Sequence, residues 1–370
     1  MINLGLYVHF PWCVKKCPYC DFNSHPLRGE LPEAAYLESL LLDLEAQLPA
    51  LEGRRLGSVF FGGGTPSLFS PASIARVLGR LAPMLTEDVE VTLEANPGTA
   101  EHQDLAGYRR AGVNRLSFGA QSFEVEKLKA LGRIHDRGAI FRSFSLARAG
   151  GFDNINLDLM YGLPGQSRDE ALEDLRTAFS LEPEHLSWYQ LTLEPKTEFA
   201  RRPPPALPGD IQLEAMEAAG HRLLADAGYE RYEVSAYARG NRRCRHNQVY
   251  WTFGDYLGVG AGAHGKLTTA DGTIHRRRKA SQPRLYQNNP TATETKAIDA
   301  GDLPGEFMLN ALRLMNGVAN ERFEAATGLA LSTLEPIRGT QIEAGLLRED
   351  RLAATPRGYE LLDSLIAAYL

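Results

Sequence analysis

Six short apolar, β-rich runs, at 4–10, 58–61, 89–94, 115–120, 155–160 and 186–193, punctuate the first half of the chain, and the segments between them carry helical periodicity. In the segment 32–48, Leu37, Leu40, Leu41, Leu44 and Leu48 fall on one helical face, and a second helix is expected over 70–85. Repeated β-α units of this kind wind into a parallel sheet with right-handed crossovers. Six units are fewer than the eight of a full barrel. The expected fold is therefore α/β, an open, partial (β/α)6 barrel. An incompletely closed barrel admits a larger substrate laterally.

The rest of the 370-residue chain reads differently. A proline-rich connection at 201–209 precedes a helix expected at 210–227, with Asp210 as its N-cap. From about 235 onward the pattern turns to glycine-rich loops, and 300–370 reads as mainly helical with a short β element near 346–353. The expected division is a core over 1–235, a connecting region over 236–299 and a smaller, winged-helix-like C-terminal domain over 300–370.

In parallel α/β barrels the chemistry collects at the carboxyl ends of the strands. Here the unusual residues fall there together. Cys13, Cys17 and Cys20 follow the first strand, Gly62-Gly63-Gly64-Thr65-Pro66 the second, Glu94 ends the third, Gln121 follows the fourth, and Asp158 lies near the end of the fifth.

The chain has four cysteines, and three of them lie within eight residues as C-x3-C-x2-C, with Cys244 far away. Clustered cysteines outside a disulfide scaffold point to a metal. Two readings are open on spacing: a zinc site completed by His9 or His25, and an iron–sulfur cluster. Three thiolates on a four-iron cube leave one iron without a protein ligand, an open position where a small molecule can bind and react.

Charge narrows the partners. Lys and Arg number 40 against 46 Asp and Glu, a formal net charge of −6, so there is no global pull toward nucleic acid. No apolar run approaches the ~18 residues of a membrane-spanning helix, and Met1-Ile2-Asn3-Leu4-Gly5 has neither a basic region nor a signal-like stretch. A cytoplasmic location is expected, with peripheral contact at the inner face of a membrane left open.

The stretch Tyr7-Val8-His9-Phe10-Pro11-Trp12-Cys13-Val14-Lys15-Lys16-Cys17-Pro18-Tyr19-Cys20-Asp21-Phe22 closely resembles the cluster loop of the radical S-adenosylmethionine (SAM) superfamily. Within it, the loop is similar to the HemN/HemW branch, which holds oxygen-independent coproporphyrinogen dehydrogenases and heme chaperones. The resemblance implies a [4Fe–4S] cluster on Cys13, Cys17 and Cys20, with SAM on the open iron. It implies SAM contacts from Gly63, Gly64 and Thr65, and from Tyr7 and Tyr19. Glu94, Gln121, Arg133 and Asp158 match further SAM-binding positions, some of which serve a second SAM in the dehydrogenases.

His246-Asn247-Gln248-Val249-Tyr250-Trp251 fits H-N-x-x-Y-W, a pattern of the chaperone side of the branch that is linked there to heme. A neutral imidazole is a good axial ligand for heme iron, and Tyr250 and Trp251 offer flat apolar surface. Asn247 is suited to orient His246, and Arg242, Arg243 and Arg245 to pair with propionates. A structural histidine and a core aromatic pair are the plain alternatives. Cys244 reads as a buried free thiol. Gly260-Ala261-Gly262-Ala263-His264-Gly265 reads either as a close-approach loop with His264 facing a ligand or as a tight turn. The basic run His275-Arg276-Arg277-Arg278-Lys279 reads as a solvated face or strand edge, with heme carboxylates, lipid headgroups or a partner as the sharper alternatives.

Two departures separate the chain from the dehydrogenases. They carry a further cysteine where Phe22 stands here, and an extension ahead of the motif for which a motif starting at Tyr7 leaves no room. The resemblance thus favours a chaperone that passes heme to apo-hemoproteins, with membrane-bound respiratory enzymes as clients and dimerisation accompanying heme binding. Oxidative decarboxylation of coproporphyrinogen is the rival activity, and a radical tRNA-modifying enzyme a weaker third.

Overall fold

The computed structural model describes residues 4–100 and 104–370. Met1-Ile2-Asn3, on which part of the N-terminal reading rests, lie outside the described residues.

The six expected strands are present as β1 (Leu4–Phe10), β2 (Leu56–Gly63), β3 (Leu85–Ala95), β4 (Arg115–Gln121), β5 (Ile155–Tyr161) and β6 (His185–Gln190), each hydrogen-bonded in parallel to the next. They are nearly continuous runs of buried residues rather than alternating ones, as befits a parallel sheet covered on both faces. Five crossover helices connect them: α1 (Glu33–Gln47), α2 (Pro71–Leu81), α3 (Leu105–Ala111), α4 (Arg137–Ala149) and α5 (Arg168–Phe179). Leu37, Leu40, Leu41 and Leu44 of α1 are buried against Leu6, Val8, Val59 and Phe61 of the sheet, in one core cluster.

The glycine-rich region contributes more than a connection. After α6 (Asp210–Asp226) the chain adds β7 (Glu230–Glu233) and β8 (Ala236–Ala238), then α7 (Arg245–Trp251), then β9 (Tyr256–Val259), β10 (His264–Thr268), β11 (Ile274–Arg278) and β12 (Glu294–Ala297). Strand β9 pairs in parallel with β1, Gly5 against Tyr256 through Val8 against Val259, so a seventh parallel strand flanks the six. All belong to one twelve-stranded sheet in the order β12-β11-β10-β9-β1-β2-β3-β4-β5-β6-β8-β7. The strands within residues 236–299 are thus part of the same sheet as the six, one of them in parallel and the others antiparallel. A fully buried ion pair, Lys279 with Asp43 of α1, and the hydrogen bond from Tyr286 to the same carboxylate (2.9 Å) fasten this region to the outer helices.

The N-cap of α6 differs from expectation. Gly209 holds the cap position, its amide donating to the Gln212 side chain at 3.0 Å, and Asp210 is the first helical residue. There its carboxylate faces the positive end of the helix dipole.

The C-terminal part has its own core around Phe307 and Met308 of α8 (Leu303–Ala311), with Phe323, Leu334, Leu352 and Leu365. Val318–Ala319 pairs antiparallel with Arg351–Leu352, which places the expected β element. Among the described residues no helix is long and apolar enough to cross a membrane.

Candidate functional site

The carboxyl ends of β1 to β5 converge on one small cavity of about 120 Å³. Its wall holds Cys13, Cys17 and Cys20, together with Tyr19, Gly63, Gly64, Thr65, Glu94, Gln121, Arg133 and Asp158. Every one of these positions was expected at the SAM and cluster site, and the fold brings them together from across the first 158 residues.

The local geometry follows from the residue types. Gly63 sits at φ +116°, and a Cβ there would come within 2.5 Å of the His9 ring. A Cβ on Gly64 would come within 2.5 Å of the Trp12 carbonyl. Only glycine lets the loop after β2 press against the residues leading into the cysteines. The Gly64 amide bonds back to the Phe10 carbonyl at 2.7 Å, and the Gly63 amide donates to Glu94 Oε2 at 3.1 Å. Gln121 ends β4 in a left-handed conformation (φ +67°), at a break in register that turns its side chain to accept a hydrogen bond from Tyr189 at 2.9 Å.

Arg133 is the pivot beside the sulfurs. Its Nη1 lies 3.5 Å from Cys17 Sγ, and its Nη2 donates to Asn96 Oδ1 (2.5 Å) and the Gly119 carbonyl (2.7 Å). Its buried Nε has no partner among the described residues. Asn96 in turn donates to Thr65 Oγ1 at 2.8 Å. Asn96 was not singled out from the sequence; its place two residues beyond Glu94, at the end of β3, is the signal that could have found it.

The electrostatics are those of a carboxylate-rich enclosure. Burial, then the neighbouring Asp158 charge, raises the Glu94 pKa to about 8. Burial likewise raises that of Asp158, against hydrogen bonds from Ser187, Asn156 and Ser117 and the nearby Arg115. The Cys13 thiol is pushed up by burial and pulled down by the Thr65 hydroxyl. Such a site favours a cation that restores Glu94 to its charged form.

The expected cofactors can be tested against this arrangement. Among the described residues no three His, Cys, Asp or Glu side chains converge as a single metal ion requires. Zinc would need that convergence, whereas a four-iron cube spreads its thiolates over separate corners. His9 is also spent: its Nε2 donates to the Asn23 carbonyl at 2.8 Å, so its Nδ1 accepts from Tyr7 at 3.1 Å. Three thiols on one cavity, a side-chain-free glycine edge and an unpartnered guanidinium N–H beside two carboxyls fit a cluster and a zwitterionic sulfonium.

Two further cavities adjoin this one. The larger, about 540 Å³, shares Phe22, Gly63 and Glu94 with it. Its far wall is formed by Tyr7, Tyr250, Trp251, Phe253, His264 and Arg276, and Asn310 of α8 closes it from the C-terminal part. The other, about 200 Å³, holds His246, Asn247, Cys244 and Arg115, with Glu94 and Asp158 at its roof.

The H-N-x-x-Y-W segment is helix α7, and its residues divide between these cavities. Tyr250 and Trp251 line the larger one, and the buried Trp251 Nε1 has no partner among the described residues. His246 is 1% exposed, with Nδ1 3.0 Å from Ser58 Oγ and Nε2 2.7 Å from Tyr250 Oη. Both ring nitrogens are engaged within the wall. Burial also lowers its pKa to about 3. Arg242, Arg243 and Arg245 pair with Asp153, Glu230 and Asp88, away from the large cavity. Cys244 is a buried thiol whose pKa burial raises to about 12. The basic run forms β11 and its end, with Arg276, Arg278 and Lys279 paired to Glu306, Glu294 and Asp43.

Comparison with known proteins shows the family and the fold. Residues 7–178 match the model of the radical SAM superfamily. The chain is 47% identical to the heme chaperone HemW of Escherichia coli (strain K12) over 371 residues, covering 99% of this chain and 98% of that one. It is 46% identical to HemW of Haemophilus influenzae over 375 residues, with the same coverage of each. Its fold is similar to that of E. coli coproporphyrinogen III oxidase (HemN), at TM-score 0.82 and 23% identity, over 99% of this chain and 90% of that one. That last likeness speaks to the fold alone. On its full-length similarity, the chain belongs to the HemW family of the radical SAM superfamily.

Proposed function

We propose that this chain is a heme chaperone: it binds heme and delivers it to apo-hemoproteins, and it carries a [4Fe–4S] cluster and SAM on the same barrel. The observation that carries the reading is the juxtaposition of two cavities with complementary chemistry. One is small, thiol-lined and rich in carboxyl and amide groups. The other is large and aromatic, and the two meet at Phe22, Gly63 and Glu94. At about 540 Å³ the larger falls within the roughly 300–1,000 Å³ of small-molecule sites. Full-length likeness to proteins named heme chaperones supports the same reading.

In this reading Cys13, Cys17 and Cys20 hold the cluster, which supplies an iron coordination position and an electron. Gly63 and Gly64 offer backbone groups to the methionine part of SAM, and Thr65, fixed by Asn96, closes that edge. Arg133 clamps a carboxylate through its unpartnered Nε. Glu94 and Asp158 take the ammonium and ribose hydroxyls, and Glu94, with its raised pKa, gives up its proton to do so. Gln121, held by Tyr189, presents its amide. Tyr19 bounds the site beside the sulfurs, and Tyr7, expected with it, lines the adjoining larger cavity instead. Tyr250 and Trp251 supply the flat wall for heme, while His246 stands behind it and sets the position of Tyr250, with Asn247 beside it in the smaller cavity.

Membrane respiratory enzymes as clients, peripheral contact at the inner membrane face and pairing of two copies on heme loading are part of the proposal and rest on the family resemblance. The test is anaerobic reconstitution followed by transfer of bound heme to an apo-cytochrome, with and without SAM. Transfer supports the reading. Multiple turnovers of coproporphyrinogen to protoporphyrinogen, in the presence of SAM and reductant, would replace it with the dehydrogenase reading.

A further inference from the structure

We infer that His264, at the start of β10, is the residue that supplies a ring nitrogen to the iron of heme seated in the large cavity. This rests on the heme reading above and deepens it by naming the iron ligand.

Two imidazoles are among the residues lining that cavity, His9 and His264. His9 has both nitrogens engaged, by Tyr7 and by the Asn23 carbonyl. His246 does not line it and is likewise engaged at both nitrogens, by Ser58 and Tyr250. His264 is solvent-exposed, and its ring makes no hydrogen bond among the described residues. An unshared sp² nitrogen on a cavity wall is a good axial donor to the iron of a porphyrin.

The backbone holds that ring in place. The loop from Val259 into β10 has Gly260 at φ +99° and Gly262 at φ +80°, and a Cβ on either would collide with the His9 carbonyl or the Asn23 amide. The loop therefore lies directly on residues either side of the cluster cysteines, and Asn23 Nδ2 locks it by donating to the Ala261 and Ser281 carbonyls, both at 2.9 Å. Strand pairing of His264 with Arg278 fixes the other side. Burial and the cations of Arg278 and Arg276 lower the His264 pKa, which leaves the imidazole neutral at physiological pH.

The surroundings match the rest of the ligand. Tyr250, Trp251 and Phe253 form an aromatic surface. Arg276, shared between Tyr256 and Glu306 at the cavity wall, is the guanidinium placed to exchange Glu306 for a propionate. A tight-turn reading of the glycine loop explains its backbone but not the free imidazole at its end.

The test is titration of the cluster-loaded chain with ferric heme, followed by reduction and reading of the iron–histidine stretch by resonance Raman spectroscopy. His264→Ala is expected to lose that signature and to weaken heme binding by roughly tenfold or more. Free imidazole added to His264→Ala is expected to restore a nitrogen-ligated spectrum, a rescue that a merely structural role would not give. His246→Ala is expected to keep the signature. Retention of the signature in His264→Ala, with its loss in His246→Ala, would overturn the assignment and leave the heme reading standing. No heme uptake by the unaltered chain would overturn the heme reading and the assignment with it.

Discussion

The Gly63 amide donates to Glu94 Oε2 at 3.1 Å, and this single bond ties the glycine loop after β2 to the carboxyl end of β3. Glu94 lines all three of the adjoining cavities. Its protonation therefore bears on everything bound at the barrel mouth.

Glu94 carries a pKa raised from 4.5 to about 8, chiefly by burial. A raised carboxyl favours the folded state most at low pH, and that contribution is lost progressively as pH rises from 4.5 to about 8. Binding a cation runs the other way. SAM affinity is expected to rise by up to about tenfold per pH unit below 8, with release of a proton on binding. Calorimetry in two buffers of different ionisation enthalpy reads that proton, and Glu94→Gln should flatten the profile. An unchanged pH profile in Glu94→Gln would remove Glu94 from cation binding.

Cys13→Ser should abolish the cluster while heme uptake persists, because the thiols line the small cavity and not the large one. Iron and sulfide analysis under anaerobic conditions reads the first and a Soret titration the second. Loss of both with an unchanged melting temperature would show that the two ligands share one site.

Arg133→Met should lower stability by about 1–3 kcal/mol, since Asn96 Oδ1 and the Gly119 carbonyl lose their buried donor. It should also lower SAM affinity at a given cluster content. Denaturant unfolding and SAM titration of iron-matched samples separate the two effects.

Gly64→Ala places a methyl group 2.5 Å from the Trp12 carbonyl, and backbone cannot yield as a side chain does. A destabilisation of about 1–3 kcal/mol is expected, together with reduced cluster content, because Trp12 leads directly into Cys13. Gly79, which has open space around it, is the control: Gly79→Ala should be neutral or slightly stabilising.

His246→Ala should destabilise by about 1–3 kcal/mol, leaving Ser58 and Tyr250 without their shared partner. With a folded pKa of about 3, His246 also makes stability fall as pH drops below 6.5, where the unfolded chain takes up the proton and the folded one does not. That component of the acid limb should vanish in the variant; if it remains, His246 is not the group responsible.

Local patterns settled a good deal in advance. The alternation of apolar runs with helical periodicity at 4–193 determined six parallel strands, because each unit buries its own face against its neighbour. The spacing of Cys13, Cys17 and Cys20, with the glycines at 62–64 and the polar residues at later strand ends, located the small cavity. Strand ends in a parallel barrel all point the same way, so residues distant in sequence had to meet there. Tertiary structure decided what depends on distant pairing. That 256–259 is a barrel strand follows from its register with 5–8, which no local signal encodes. That His246 turns inward follows from Ser58, 188 positions away, while the ring of His264, in a loop that read equally as a tight turn, is left unpaired. An imidazole in a sequence is only a pair of nitrogens; whether either is free is fixed by what the fold packs against it.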